Sequence, residues 1–168
     1  MLKLNILHLL VIGGAAGAVA VLRREANGRS LTPGRLFVAP LFATATTVLL
    51  LTASLPGARE PALWGLGIIG GTIAGTARGM QLRLQVDRLW DRLRLPRARD
   101  GLWAGCLLAL LAITAFAAEA MPGDLPWAST VERAASVAAA ACTSFLAGRS
   151  LLLWLRTLNA PHSDLHRP

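Results

Sequence analysis

The sequence predicts an all-α integral membrane protein, a bundle of about five transmembrane helices plus one amphipathic segment on the cytoplasmic side. Three observations predict this class. The composition is 54% hydrophobic and only 15% charged, which is too apolar for the surface that a soluble chain of 168 residues exposes. Long apolar runs recur along the chain, and Arg-rich stretches separate them. Tryptophans lie near the ends of these runs, at the depth where an aromatic ring prefers the headgroup layer.

Five apolar runs are long enough to be considered as membrane crossings, because a helix needs roughly 20 apolar residues to cross a hydrocarbon core of about 30 Å. The runs are Leu4–Leu22, Leu36–Leu55, Ala62–Ala77, Gly101–Ala118 and Ala134–Leu155. The first run is interpreted as a retained helix, because Arg23 and Arg24 follow it directly and would resist secretion. The fifth is the least regular, because Arg149 interrupts it.

The basic residues orient the bundle. If the chain crosses five times, all of the 17 lysines and arginines except Lys3, Arg59 and Arg133 fall on one side. Basic loops stay in the cytoplasm. We therefore expect a multi-pass protein of the bacterial inner membrane, with its N-terminus outside and its C-terminus in the cytoplasm. Residues 1–160 would form one domain, and residues 161–168 a short cytoplasmic tail.

The net charge of +8 could suit either a nucleic acid or a membrane surface. Because the arginines are clustered between apolar runs, the expected partner is a bilayer with anionic headgroups, and no nucleic acid is expected. The expected headgroup contacts lie between the third and fourth runs, and they are Arg83, Arg88, Arg92, Arg94, Arg97 and Arg99.

The segment 81–95 is amphipathic, and two structures fit it. At helical spacing one face is apolar, which favours an interfacial helix that ends at Pro96. The alternative is a short hairpin, because apolar and polar residues alternate in both halves of the segment. The helix is preferred because the middle of the segment, Asp87–Asp91, offers no obvious turn residue. The apolar helical face would contain Leu82, Val86, Leu89, Trp90 and Leu93.

Glycine recurs at every fourth position of the third run. This glycine zipper leaves one helix face without side chains, and helices in lipid associate through such close backbone approaches. The spacing occurs once more in the first run and once in the fourth, at Gly101 and Gly105. The zipper could pack within the chain, against a partner membrane protein or in a homo-oligomer. The expected contact residues are Gly67, Gly71, Gly75 and Gly79, with Gly13 and Gly17 in the first run.

The sequence contains no recognisable catalytic, cofactor-binding or metal-binding constellation. Cys106 and Cys142 lie at different depths of their runs, so each is expected to be a buried small residue and not half of a disulfide. His8 has no second histidine in an apolar run with which it could ligate haem. Glu119 and Arg149 are the ionisable residues nearest to the hydrocarbon, and they are the candidate intramembrane polar sites.

Several short stretches carry a family resemblance. They are an Arg-rich loop before Leu36–Pro40, a glycine-rich helix that ends with Gly75–Gly79, the basic stretch that follows, and a final Gly148–Leu151. In this order they resemble the CcdC-like family of small bacterial membrane proteins, although Leu89-Trp90 in the basic stretch departs from the family pattern. The resemblance implies a multi-helix membrane domain associated with cytochrome c biogenesis genes, and it supplies no catalytic residues.

These features favour a non-enzymatic accessory or assembly protein that binds partner helices through glycine-lined contacts. A small homo-oligomeric channel or transporter is the alternative, although such a pathway normally needs several convergent polar residues. An intramembrane redox or enzymatic activity is a further alternative, and only Cys106, Cys142 and Glu119 could serve it.

Overall fold

The computed structural model describes residues 6–28, 30–53, 60–87, 89–90, 92–95, 99–119 and 126–161. Residues 118–119 and 126–128 are described by their backbone alone. Within these ranges the chain forms five α-helices and one β-hairpin, and a 3-10 turn at Pro33–Phe37 leads into the second helix. The helices are α1 (Ile6–Ala26), α2 (Val38–Ala53), α3 (Pro61–Gln81), α4 (Asp100–Glu119) and α5 (Pro126–Asn159).

Four helical segments within the described residues are long and apolar enough to cross a membrane. They are Ile6–Ala26, Pro33–Ala53, Asp100–Ala117 and Ser129–Asn159. The described residues of all five predicted runs are helical, but α3 is not among these four because its many glycines and Arg78 lower its mean hydropathy. The fifth run is helical throughout, as predicted, although α5 is longer than the run: it is a continuous helix of 34 residues that passes through Arg149. At about 1.5 Å per residue α5 is roughly 50 Å long, more than a hydrocarbon core requires.

The central helix is α5, which packs against α2, α3 and α4, while α1 packs against α2 and α4. The main core lies between α1, α2, α4 and α5, and it is filled by aliphatic side chains such as Val11, Leu108 and Leu146. A hydrogen-bonded contact joins α2 to α5 inside this core, where the Thr47 and Thr143 hydroxyls lie 2.7 Å apart. Helix α3 lies outside this core and packs along α5.

The predicted interfacial helix at 81–95 is wrong, and the hairpin alternative is correct. Strand β1 (Gln85–Asp87) pairs antiparallel with β2 (Arg92–Arg94), and Leu31 extends the sheet by bridging to Leu93. The side chain of Asp87 forms the turn, because its Oδ1 accepts hydrogen bonds from the backbone N–H groups of Leu89 and Trp90 at 3.1 and 3.3 Å. An aspartate that bonds its own backbone two residues on is a turn former.

A second, smaller core holds the hairpin against the helices. Leu82, Leu93 and Leu95 pack there against Leu36 and Leu153. A marginal two-stranded hairpin becomes stable when it packs in this way against helices. The apolar residues of the predicted helical face are therefore divided, because Val86 and Leu93 are buried, whereas Leu89 and Trp90 at the turn are exposed.

Candidate functional site: a buried ionic cluster at the arginine-rich end

One end of the bundle collects the charged residues. The C-terminal ends of α1 and α3, the N-terminal end of α4 and the last third of α5 meet there, as the ion pairs between these helices show. We call this end, together with the β-hairpin, the arginine-rich end. Its described arginines divide into two groups. Arg78, Arg149 and Arg156 bind other helices through their side chains. The exposed group is Arg23, Arg24, Arg35, Arg83, Arg92, Arg94 and Arg99, of which Arg92 also donates to the Ser30 hydroxyl at 3.5 Å.

Four residues of this end form the ionic cluster: Glu25 of α1, Arg78 of α3, Asp100 of α4 and Arg149 of α5. Arg149 Nη2 lies 2.6 Å from Glu25 Oε1, and its Nε lies 3.1 Å from Asp100 Oδ2. Arg78 Nε donates to the same Asp100 oxygen at 3.3 Å. The two arginines and two carboxylates balance in charge, so the cluster joins four helices without leaving a net charge.

Burial makes the cluster sensitive to change. Arg149 is 1% exposed and Glu25 is 8% exposed, so both charges are removed from water. A buried ion pair need not stabilise a fold more than apolar residues would, but removing one partner leaves an uncompensated charge. Arg149 therefore does not extend its side chain away from the bundle, as a long basic side chain near a helix end often does. It lies between helices and depends on its two carboxylates.

The sequence interpretation missed Glu25 and Asp100. Both lie at the edge of an apolar run, next to arginines, and so they look like ordinary loop charges. The available signal was Arg149 itself, because an arginine inside an apolar run calls for an acidic partner. The other candidate intramembrane residue, Glu119, has a side chain outside the described part of the structure.

Gly101 makes room for the cluster. A Cβ at this position would lie 3.1 Å from Leu22 Cδ2 and 3.3 Å from Arg149 Nη1. One turn further along α4, a Cβ at Gly105 would lie 2.7 Å from Leu22 Cδ1. The two glycines thus allow α4 to approach α1 closely and let the Arg149 guanidinium reach between them.

Arg156 closes the C-terminal end of α3. Its Nη1 donates to the backbone carbonyls of Gly79, Met80 and Leu82 at 2.6, 3.1 and 2.8 Å. The last carbonyls of a helix lack partners within the helix and carry the negative end of its dipole. A guanidinium supplied by α5 satisfies both needs, and it attaches α3 to α5 at the arginine-rich end.

The glycine zipper of α3 packs on α5. Its four glycines are the buried residues of α3. A Cβ at Gly67 would lie 2.7 Å from the carbonyl oxygen of Val137, and a Cβ at Gly71 or Gly75 would overlap the α5 backbone. Each successive glycine meets the residue one turn further along α5, so the two helices are parallel and in register. The contacts of the four glycines on α5 are Val137, Ala141, Phe145 and Arg149.

The expected glycine pair of α1 is only partly correct. A Cβ at Gly17 would touch the ring of Phe42, whereas a Cβ at Gly13 would meet nothing within 4 Å. Gly14 faces α2 in place of Gly13, against Thr46. The glycines that contact α2 are thus Gly14 and Gly17, which are three residues apart and not four. Either spacing keeps two residues on one helix face.

The two cysteines also differ from each other. Cys142 is buried, as expected, but Cys106 is exposed, so the expectation of burial is wrong for Cys106. It lies on the outer face of α4 beside Trp103, which is 72% exposed. Of the expected headgroup arginines, Arg88 and Arg97 lie outside the described residues, and the other four are exposed. Their contact with lipid stays a prediction.

The described helices and their contacts define a helical-bundle protein with four helices that could cross a membrane by length and composition. No group of three or more metal-binding side chains is found among the described residues. Comparisons with protein-family models, with curated proteins and with solved structures gave no match. The resemblance to the CcdC-like family therefore stays a prediction.

Proposed function

We propose that this protein is a non-enzymatic accessory or assembly protein of the bacterial inner membrane, and that it acts by binding another membrane protein through helix contacts. The observation that carries the proposal is the position of α3. This helix is attached to the bundle along its glycine zipper, so none of its large apolar residues is buried. The zipper itself is filled by α5, and a partner must therefore bind elsewhere on α3.

The outer face of α3 suits close contact with another helix. Gly70 and Ala74 are exposed four residues apart, and a Cβ at Gly70 would meet nothing within 4 Å. Small residues at this spacing let helix backbones approach in lipid. Leu66, Ile69 and Ile73 are exposed beside them and would provide the packing. By contrast, the outer face of α4 exposes bulky residues: Trp103, Leu107, Leu110 and Ile113.

A photo-crosslinking amino acid tests this contact. Ile73 on α3 and Ile113 on α4 match in side chain and in exposure, at 63% and 59%. We expect discrete protein crosslinks from position 73 and only lipid adducts from position 113. Crosslinks between two copies of this chain would favour a homo-oligomer instead. Lipid adducts alone at both positions would refute the accessory role.

The proposal includes five crossings, with the N-terminus outside and the C-terminus in the cytoplasm. Two features support it: α3 is parallel to α5 and in register with it, and the exposed arginines collect at one end. Reporter fusions after Gly57 and Gly123 should be outside, and fusions after Asn27 and Arg97 inside. An inside signal at Gly123 would refute five crossings.

A channel or transporter is the second candidate, and the ionic cluster is the observation that favours it. Ionisable residues between membrane helices often mark ion or proton pathways. The Asp100 and Arg78 side chains are 16% and 40% exposed, so part of the cluster lies at the surface of the bundle. Purified protein in liposomes should then conduct protons or ions, and Asp100→Asn should abolish the flux. Liposomes with no flux above the protein-free background would exclude this candidate.

A further inference from the structure

A cavity of about 500 Å³ lies between the C-terminal end of α1 and the N-terminal end of α4. Its size falls within the range of small-ligand sites. Its lining residues are sequence neighbours of Leu22, Gly101 and Gly105, where α4 approaches α1 closely. Most of the lining residues are exposed, so the cavity opens on the outer surface of the bundle, at the arginine-rich end.

The lining of the cavity changes from polar to apolar along the helix axis. Asn27, which follows α1, and Arg99, which precedes α4, supply polar groups at one end, and Arg23 of α1 adds a second guanidinium. Trp103 and Cys106 follow at successive turns of α4. Seven residues separate Arg99 from Cys106, which is about 10 Å of helix. The ligand that matches this lining has an anionic head and an apolar body that points along α4.

The charge of the cavity is positive because the carboxylates next to its arginines in the sequence form ion pairs outside it. Glu25 is two residues from Arg23, and Asp100 follows Arg99, yet both carboxylates form ion pairs with Arg149 in the ionic cluster. Neither carboxylate lines the cavity. The buried arginine thus leaves two exposed guanidinium groups free to act together on an anion, and guanidinium groups suit phosphate oxygens especially well.

We propose that this cavity is a specific site for one anionic phospholipid. Arg23, Asn27 and Arg99 bind its phosphate, and Trp103 contacts the glycerol and the first acyl carbons. Cys106 lies deeper, beside the acyl chain. The site depends on the proposed insertion in the membrane but not on the proposed partner of α3. It differs from a diffuse attraction of headgroups, because two helices and a defined cavity form it.

Quenching of Trp103 by brominated lipid tests the site in detergent–lipid micelles of the full chain. The difference between wild type and Trp103→Phe isolates the signal of this tryptophan from the others. We expect brominated phosphatidylglycerol to quench it at a severalfold lower mole fraction than brominated phosphatidylcholine. Arg23→Gln and Arg99→Gln should each weaken phosphatidylglycerol binding about fivefold. The matched control is Arg24→Gln, which removes an exposed arginine of the same end that does not line the cavity.

Three results would overturn the proposal. Equal quenching by the two lipids would mean that the cavity does not recognise charge. An equal loss in Arg24→Gln and Arg99→Gln would mean a diffuse surface effect and not a site. Displacement of the brominated lipid by millimolar inorganic phosphate would mean that free phosphate, and not a lipid, is the ligand. Each variant is first shown to keep the wild-type melting temperature, and reporter topology tests the membrane insertion independently.

Discussion

Replacing Gly71 by leucine should destabilise the protein, whereas replacing its neighbour Gly70 should not. The two glycines are adjacent on α3 but face opposite environments. A Cβ at Gly71 would overlap the backbone of Ala141, and a Cβ at Gly70 would meet nothing within 4 Å. The pair therefore has the same helix propensity, the same depth and the same change of mass, and it differs only in what the new side chain meets.

The size of the effect follows from the nature of the obstacle. The atoms opposite Gly71 belong to a helix backbone, which cannot rotate away as a flexible side chain can. Overpacking a tight contact costs about 1–3 kcal/mol, and a membrane interface offers little hydrophobic compensation. For a chain of this size that corresponds to a fall in melting temperature of roughly 2–12 °C. Gly70→Leu should leave the melting temperature nearly unchanged.

Thermal unfolding in a mild detergent, followed by circular dichroism, measures the difference, and native mass spectrometry on the same samples reports the oligomeric state. A lower melting temperature for Gly71→Leu, together with an unchanged one for Gly70→Leu, would support packing of the zipper within the chain. If Gly71→Leu were as stable as wild type, the in-register contact between α3 and α5 would be refuted. If Gly70→Leu stayed folded but lost a bound protein, the outer face of α3 would be the partner contact.

The ionic cluster, the α3 cap and the cysteines give three further predictions. Arg149→Met should destabilise the protein by roughly 3–5 kcal/mol, because two carboxylates lose their buried partner. Arg133→Gln, which breaks the exposed pair with Glu60, should cost less than about 1 kcal/mol. Equal losses of stability in the two variants would refute the difference between the buried and the exposed ion pair. Arg156→Gln should lower the melting temperature by removing the α3 cap, and an unchanged value would show that the three hydrogen bonds are dispensable. Cys142→Leu should lower the melting temperature because Cys142 lies in the main core, whereas Cys106→Leu on the outer face should not, and equal melting temperatures would contradict the burial of Cys142.

Local patterns allowed the helices to be predicted, because each depends on residues that are near one another in the sequence. The apolar runs are visible without knowledge of their neighbours, and so is the zipper of α3. The hairpin was predicted less well, because its turn depends on one side chain, Asp87, whose hydrogen bonds replace the glycine or asparagine that usually marks a turn. Pairing with Leu31, more than 50 residues earlier, also favours the strand, and no local pattern shows that contact.

The ionic cluster could not be predicted for a different reason. Glu25, Asp100 and Arg149 are far apart in the sequence, and the chain contains many arginines that could pair with each acid. Only the packing of α1, α4 and α5 selects Arg149, since Gly101 leaves the space that its guanidinium fills. The same selection leaves Arg23 and Arg99 exposed at the cavity. The burial of one arginine thus determines which others can meet a ligand.

The number of membrane crossings depends on α3. Four of the described helical segments are apolar enough to cross by their mean hydropathy, and α3 is the remaining predicted crossing, which falls short because it is amphipathic. Mean hydropathy counts every residue of a helix equally, although only the exposed residues of an outer helix can meet lipid. The glycines that lower the mean for α3 lie against α5, while Leu66, Ile69 and Ile73 are exposed. From Gly67 to Gly79, α3 runs beside a segment of α5 that is itself apolar enough to cross, over about 18 Å. A helix in register with a membrane-spanning neighbour shares its depth, so if α5 crosses the membrane then α3 crosses it too, in the same direction. Because α4 connects α3 to α5, it must then cross the membrane in the opposite direction. This arrangement puts the basic ends of α1, α3 and α5 on one side.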